Sequence, residues 1–169
     1  MWDMSTRQMN FSTAGIEWNV QVIGDGHQTI VALHGFGQNG ELLAPLLRHL
    51  PSDEYRLLLI DLPGFKNTNL PESHVRKGMD PESIAKGIDQ IIAEYGTDLL
   101  HFLGYSLGGR YLLNQLLYGS KPAEQITLIA PDGFRSNKFR RFLTSTWLGN
   151  KLFRWFTRYP GFVFALVET

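Results

Sequence analysis

Short apolar runs separated by glycine-rich or polar segments fill the first 132 residues, and their periods predict strands alternating with helices. Residues 9–13 and 16–23 alternate apolar and polar side chains, which predicts an antiparallel hairpin at one edge of a sheet. Further runs are short and almost wholly apolar, as strands buried on both faces require. These runs are 29–33, 56–60, 99–103 and 125–130.

Three segments between these runs have helical signals. Leucines at helical spacing predict a helix over residues 41–50, with Pro45 in its early part. Asp80 and Pro81 supply a capping carboxylate and a first-position proline for a helix that ends at Gly96. A third helix is predicted over 110–117. Strands alternating with helices predict an α/β fold with a mainly parallel sheet.

Glycine-bearing or polar residues follow the predicted parallel strands at their carboxyl ends, where ligands bind in such sheets. These exits are His34-Gly35-Phe36-Gly37, Asp61-Leu62-Pro63-Gly64, the turn at Ser106, and Asp132. The residues around Ser106 read Gly104-Tyr105-Ser106-Leu107-Gly108-Gly109, a G-x-S-x-G motif between a strand and a helix. That context predicts a nucleophilic serine on a sharp turn, and the alternative is an ordinary turn serine.

Composition narrows the chemistry. The chain has no cysteine, which excludes thiol catalysis, disulfides and thiolate metal sites, and no histidine or acidic cluster has metal-ligand spacing. We therefore predict neither a metal nor a cofactor. The amino terminus has no signal-peptide pattern and no apolar run approaches the roughly 20 residues of a membrane span, so we expect a cytoplasmic protein.

The charge is uneven although the formal net charge is zero. Residues 133–169 hold seven basic residues and one acidic residue among many aromatic ones, so this tail carries +6 and residues 1–132 carry −6. We therefore divide the chain into a core, 1–132, and a tail, 133–169. The tail suits a helical cap over an apolar pocket, or else a membrane-surface segment. Nucleic-acid binding is not expected, because the rest of the chain is acidic.

The ordered strand exits, taken together, resemble the amino-terminal portion of the α/β-hydrolase family, in its serine esterase and lipase-like branch with a helical cap. The resemblance implies that Ser106 attacks the carbonyl of a small-molecule ester or related acyl compound. It also implies that the backbone N–H groups of Phe36 and Leu107 hold the oxyanion, and that the tail begins the cap. Asp132 then matches a position that some members use for the triad acid, or else caps its own turn.

The family places its general-base histidine after the serine, but all five histidines of this chain precede Ser106. His34 is either a base or, as we prefer, a structural residue of the oxyanion loop, and His101 is expected to be a hydrogen-bonded core residue. We thus expect a fragment that lacks the last strands and is inactive by itself. Its exposed edge strand and cap would favour self-association. The alternative function is a non-catalytic binding protein with a degenerate fold.

Overall fold

The computed structural model describes residues 6–13, 15–51, 53–65, 68, 79–95, 99–131, 146 and 151. These residues form six strands, which are β1 (Thr6–Thr13), β2 (Ile16–Ile23), β3 (Gln28–Leu33), β4 (Tyr55–Ile60), β5 (Leu99–Tyr105) and β6 (Gln125–Ile129). They make one mixed sheet in the order β1-β2-β4-β3-β5-β6. The hairpin β1–β2 and the pair β2–β4 are antiparallel, whereas β3 to β6 pair in parallel. The predicted fold class is confirmed.

Both faces of the sheet are apolar. Successive side chains of a strand point to opposite sides, so a strand buried on both faces needs apolar residues at every position. On β4, Leu58 and Ile60 belong to one buried cluster, while Leu57 and Leu59 belong to the other. This explains why the central strands read as continuous apolar runs rather than as alternating ones. β1, at the edge of the sheet, is mostly exposed.

Helices cover the two faces unequally. The helices α1 (Pro81–Tyr95) and α2 (Leu107–Tyr118) pack on the face that holds Trp18 and Phe102. The start of α1 is the predicted one, since the Asp80 carboxylate accepts from the Ser83 N–H at 2.9 Å and from its hydroxyl at 2.8 Å. These bonds lower the pKa of Asp80 below its ordinary value.

The opposite face is covered by a 3₁₀ helix, Gly40–His49. The leucine spacing predicted a helix here, and Leu43 and Leu47 are indeed its buried residues. The helix type differs because Pro45 lacks the N–H that an α-helical bond would need. Bonds between residues three apart mark both ends, from Leu42 N–H to the Asn39 carbonyl and from Leu50 N–H to the Leu47 carbonyl.

The chain divides into two compact units, Met1–Asp132 and Gly133–Thr169. All the strands and helices named above lie in the first unit. The predicted cap falls on residues that, apart from Thr146 and Lys151, lie outside the described part of the chain. Within the described part, no helix is both long and apolar enough to cross a membrane.

Candidate active site

The sharp turn predicted at Ser106 is present between the end of β5 and the start of α2. Ser106 has φ 50° and ψ −113°, a backbone conformation that residues with a Cβ rarely adopt. Two backbone bonds hold it there. The Ser106 N–H donates to the Ile129 carbonyl at 2.9 Å, and its carbonyl accepts from the Gly109 N–H at 3.0 Å. Strain of this kind amounts to about 1–3 kcal/mol and is concentrated at functional sites.

Glycines flank the turn because neighbouring backbone leaves no space for a side chain. A Cβ on Gly104 would lie 2.7 Å from the Gly109 Cα, and a Cβ on Gly108 would lie 2.0 Å from the Leu33 carbonyl oxygen. The second distance shows that α2 begins directly against the end of β3. Close approach of backbone, rather than a positive φ, is therefore what these two positions require.

The strand exits that the sequence singled out are adjacent in the sheet. β3 lies between β4 and β5, and Leu33 pairs with Ile60 on one side and Gly104 on the other. The loop that starts at His34 is consequently flanked by the Asp61 exit and by the Ser106 turn. The sheet brings together three of the four predicted exits, and the fourth, Asp132, lies outside the described residues.

His34 is fully buried and connects two of these exits. Its Nε2 accepts from the Leu62 N–H at 2.8 Å, and its Nδ1 lies 2.7 Å from the Gly35 carbonyl oxygen. The Asp61 carboxylate is 3.9 Å from Nε2. Burial lowers the pKa of His34, opposed by the Gly35 carbonyl and by the charge of Asp61. A buried neutral imidazole with both nitrogens engaged supports the structural interpretation of His34 over the general-base one.

Asp61 contacts the start of the neighbouring 3₁₀ helix. It is buried, and its Oδ1 accepts from the Gly40 N–H at 2.7 Å. This bond satisfies a free N–H at the start of the 3₁₀ helix. Asp61 thereby joins the exit of β4 to the helix that follows β3.

Thr68 was not singled out by the sequence, yet together with Phe65 it organises the β4 exit. The buried Thr68 hydroxyl contacts the carbonyls of Leu62 and Phe65 at 3.0 and 2.8 Å and the Phe65 N–H at 3.1 Å. The Phe65 ring packs edge-on against the rings of His34 and Phe36, with centroids 5.7 and 5.4 Å apart. The only sequence signal was the aromatic residue at the end of Asp61-Leu62-Pro63-Gly64-Phe65.

The two predicted oxyanion donors lie on different elements: Leu107 at the start of α2 and Phe36 in the loop after β3. Leu107 is the first residue of α2, where backbone N–H groups have no helical partner. Phe36 lies three residues beyond the end of β3, and its side chain is 79% exposed.

His101 is remote from the strand exits. Its Nε2 lies 3.1 Å from the Gln28 Oε1, so the expected hydrogen bond is present, but the ring is only half-buried. It lines a cavity of about 280 Å³ beside the 3₁₀ helix, together with Leu46, Tyr55 and Thr127. This cavity lies on the face of β5 and β6 rather than at their carboxyl ends.

The fold and the strained serine between a strand and a helix indicate to which family of proteins this chain belongs. Residues 28–167 match the family model described as the α/β-hydrolase fold. The chain therefore belongs to the α/β-hydrolase family.

The related proteins include esterases, other hydrolases and receptors. A pimeloyl-(acyl-carrier protein) methyl ester esterase of Edwardsiella ictaluri is 31% identical over 63% of this chain and 38% of its own length. A 2-hydroxy-6-oxononadienedioate/2-hydroxy-6-oxononatrienedioate hydrolase of Klebsiella pneumoniae is 30% identical over 62% of this chain and 37% of its own. The match thus spans less than two fifths of either relative.

Solved structures agree on the fold. An esterase of Exiguobacterium antarcticum superposes with a TM-score of 0.65 at 24% identity, over 78% of this chain and 48% of that one. The superposition therefore spans about half of that chain.

Proposed function

We propose that this chain is the nucleophile-bearing part of a serine hydrolase that acts on an ester or related small acyl compound. The observation that carries the proposal is the strained backbone of Ser106, held between β5 and α2 by packed glycines. A serine on such a turn projects its hydroxyl away from the backbone, toward a substrate at the sheet edge. Membership of a family with esterase relatives supports the same reaction class.

In the proposed reaction the Ser106 oxygen attacks the acyl carbon, and negative charge develops on the carbonyl oxygen. The N–H groups of Leu107 and Phe36 are the proposed donors to that oxyanion. Leu107 is well placed because the first N–H groups of a helix are free and lie at the positive end of its dipole. Donors of this kind each change kcat by about 10²–10³-fold.

The proton of Ser106 needs an acceptor, and no histidine follows Ser106 in these 169 residues. We infer that the 169-residue chain by itself hydrolyses esters very slowly, because a serine hydroxyl without a positioned base is a weak nucleophile. Asp132 remains the proposed triad acid or, alternatively, a turn residue. The proposed reaction uses no metal or cofactor and involves no nucleic acid, and a cytoplasmic location stays a prediction.

Labelling with a fluorophosphonate tests the proposal on the intact protein, by which we mean the whole serine hydrolase of which this chain is proposed to be a part. We expect covalent modification of Ser106, located by peptide mass spectrometry, and none in Ser106→Ala. Ser12→Ala is the matched control, because Ser12 lies exposed on β1 and its loss should leave labelling unchanged. If the probe does not label Ser106, the assignment of Ser106 as the nucleophile is wrong.

The second candidate function is non-catalytic binding by an α/β-hydrolase fold that carries no base; within these 169 residues no histidine follows Ser106. A p-nitrophenyl ester discriminates the two when the intact protein is compared with Ser106→Ala. An enzyme loses nearly all its activity in the variant. A binding protein shows, in both forms, at most the residual 10³–10⁴-fold acceleration over water that binding and an oxyanion hole provide.

A further inference from the structure

His34 donates and accepts hydrogen bonds in a pattern that fixes its tautomer. The backbone N–H of Leu62 can only donate, so the Nε2 atom 2.8 Å away must be the unprotonated nitrogen. The proton of the neutral ring is therefore on Nδ1, which then donates to the Gly35 carbonyl oxygen at 2.7 Å. Burial, which keeps the ring neutral, makes both roles compatible at once.

The bond to the Gly35 carbonyl also determines where the next N–H points. The Gly35 carbonyl and the Phe36 N–H belong to one peptide unit, and in a trans peptide these two groups point in opposite directions. The chain contains no cis peptide among its described residues. Holding the carbonyl toward the His34 ring therefore directs the Phe36 N–H away from it.

Gln38 restrains the same peptide from the other end of the loop. Its backbone N–H donates to the Gly35 carbonyl at 3.4 Å. Its side-chain Oε1 accepts, at 3.2 Å, from the Gly35 N–H, which belongs to the preceding His34–Gly35 peptide. The Nδ1 bond of His34 is the shorter of the two bonds to this carbonyl. Glycine at 35 otherwise leaves the peptide free to rotate, since it lacks the Cβ that limits φ and ψ.

We propose that His34 is a positioning residue, whose Nδ1–H holds the Gly35–Phe36 peptide so that the Phe36 N–H faces the oxyanion beside Ser106. The inference rests on the proposed hydrolase function. Its second bond, from Leu62 N–H to Nε2, anchors the ring to the exit of β4 and sets the tautomer that the first bond requires. A flipped peptide would present a carbonyl oxygen to the developing negative charge.

Two substitutions separate the two bonds. His34→Asn places an amide nitrogen as many bonds from Cα as Nδ1, so it can still donate to Gly35 but not reach Leu62. His34→Gln places an amide oxygen as far out as Nε2, so it can accept from Leu62 but cannot make the short bond to Gly35. Both variants are assayed as the intact protein, and urea unfolding measures the stability of each.

We expect His34→Gln to lower kcat on the order of 10²-fold with little change in KM, as the loss of one oxyanion donor does. Its affinity for a boronic acid, which forms a tetrahedral adduct with the serine, should fall in parallel. We expect His34→Asn to retain most of kcat and of that affinity, even where it unfolds more easily. The proposal would be overturned if His34→Asn lost more kcat than His34→Gln. It would also be overturned if the loss of kcat in each variant simply followed its loss of stability.

A readout independent of activity separates this proposal from the proposed function. Proton–nitrogen NMR of the imidazole of the unmodified protein should show the proton on Nδ1. Finding it on Nε2 would overturn the positioning role whether or not the protein hydrolyses esters. A protein that has the Nδ1–H tautomer but neither labels at Ser106 nor turns over an ester contradicts the hydrolase function instead.

Discussion

At the scale of single residues, the site depends on conformations that are unfavourable in isolation. Ser106 is held at φ 50° and ψ −113°, and only the surrounding bonds and glycines maintain it there. A residue without Cβ should tolerate this backbone better than any other. The strain is thus a property of the position and can be measured by substitution.

We expect Ser106→Gly to be more stable than Ser106→Ala by about 1 kcal/mol, because alanine keeps the strained Cβ whereas glycine relieves it. Both variants lack the hydroxyl, so neither should label with a fluorophosphonate. Urea unfolding of the two proteins side by side measures the difference. Equal stabilities would show that the turn stores no strain at this residue.

The protonation of His34 predicts how stability responds to acid. Burial lowers the pKa of this histidine below its ordinary value of 6.5, so the unfolded chain takes up the proton before the folded one as the pH falls. Stability should therefore decrease below about pH 6.5, and this loss ends once the pH is under the lowered folded pKa. Protonation also leaves Nε2 unable to accept from Leu62.

Unfolding free energies measured across this pH range for the unmodified protein and for His34→Gln check the prediction. Glutamine does not titrate, so the variant should lack this part of the pH dependence. An unchanged slope in the variant would assign the acid sensitivity to other groups.

At the scale of elements, the site depends on how closely α2 approaches β3. A methyl group on Gly108 would overlap the Leu33 carbonyl oxygen at 2.0 Å and approach that of His34 at 2.7 Å. Neither backbone oxygen can move without shifting the strand end. α2 and the start of the loop after β3 are therefore coupled through one glycine.

We expect Gly108→Ala to destabilise the protein by roughly 3 kcal/mol, the upper range for overpacking, and to reduce labelling of Ser106. Gly37→Ala is the control, because φ is 71° there but no atom lies within 4 Å of the added Cβ. Its effect should be limited to about 1 kcal/mol from backbone strain. Similar losses in thermal unfolding for both variants would contradict the packing argument.

Asp61 couples two further elements, since its carboxylate caps the 3₁₀ helix. We expect Asp61→Ala to destabilise the protein by about 1–3 kcal/mol, because the buried Gly40 N–H loses its acceptor. Asp61→Asn keeps an oxygen at the same position and should be less destabilising. Chemical unfolding of both variants tests this, and equal losses would show that the charge, not the hydrogen bond, is what matters.

At the scale of the whole molecule, the sequence predicts the elements better than the links between them. Apolar runs identify buried strands, and Asp80 with Pro81 marks the start of α1, because these signals are local. The bond from Leu62 to His34 joins residues 28 apart, and that from Gly40 to Asp61 joins residues 21 apart. Such links follow from the strand order, in which β3 separates β4 from β5, and no local pattern encodes that order.

β6 is the last strand of the described sheet, and most of its residues are exposed. β6 pairs with β5, and within the described part of the chain no strand pairs with its other edge. Ile126 and Ile129 on this strand are each 41% exposed. Ile126 is opposite Phe102 and Ile129 opposite Tyr105, so the two side chains lie on opposite faces. An apolar edge of this kind is a template for pairing with another chain.

We expect the 169-residue chain to self-associate through β6, as sedimentation velocity at increasing concentration would show. Replacing Ile126 and Ile129 together by lysine should shift the chain toward monomer, because charged side chains on an edge strand oppose pairing. Leu117→Lys is the matched control, since Leu117 is 74% exposed but lies on α2. A chain that stays monomeric at every concentration contradicts the prediction. An equal effect of Leu117→Lys would place the contact on the helix instead of the strand.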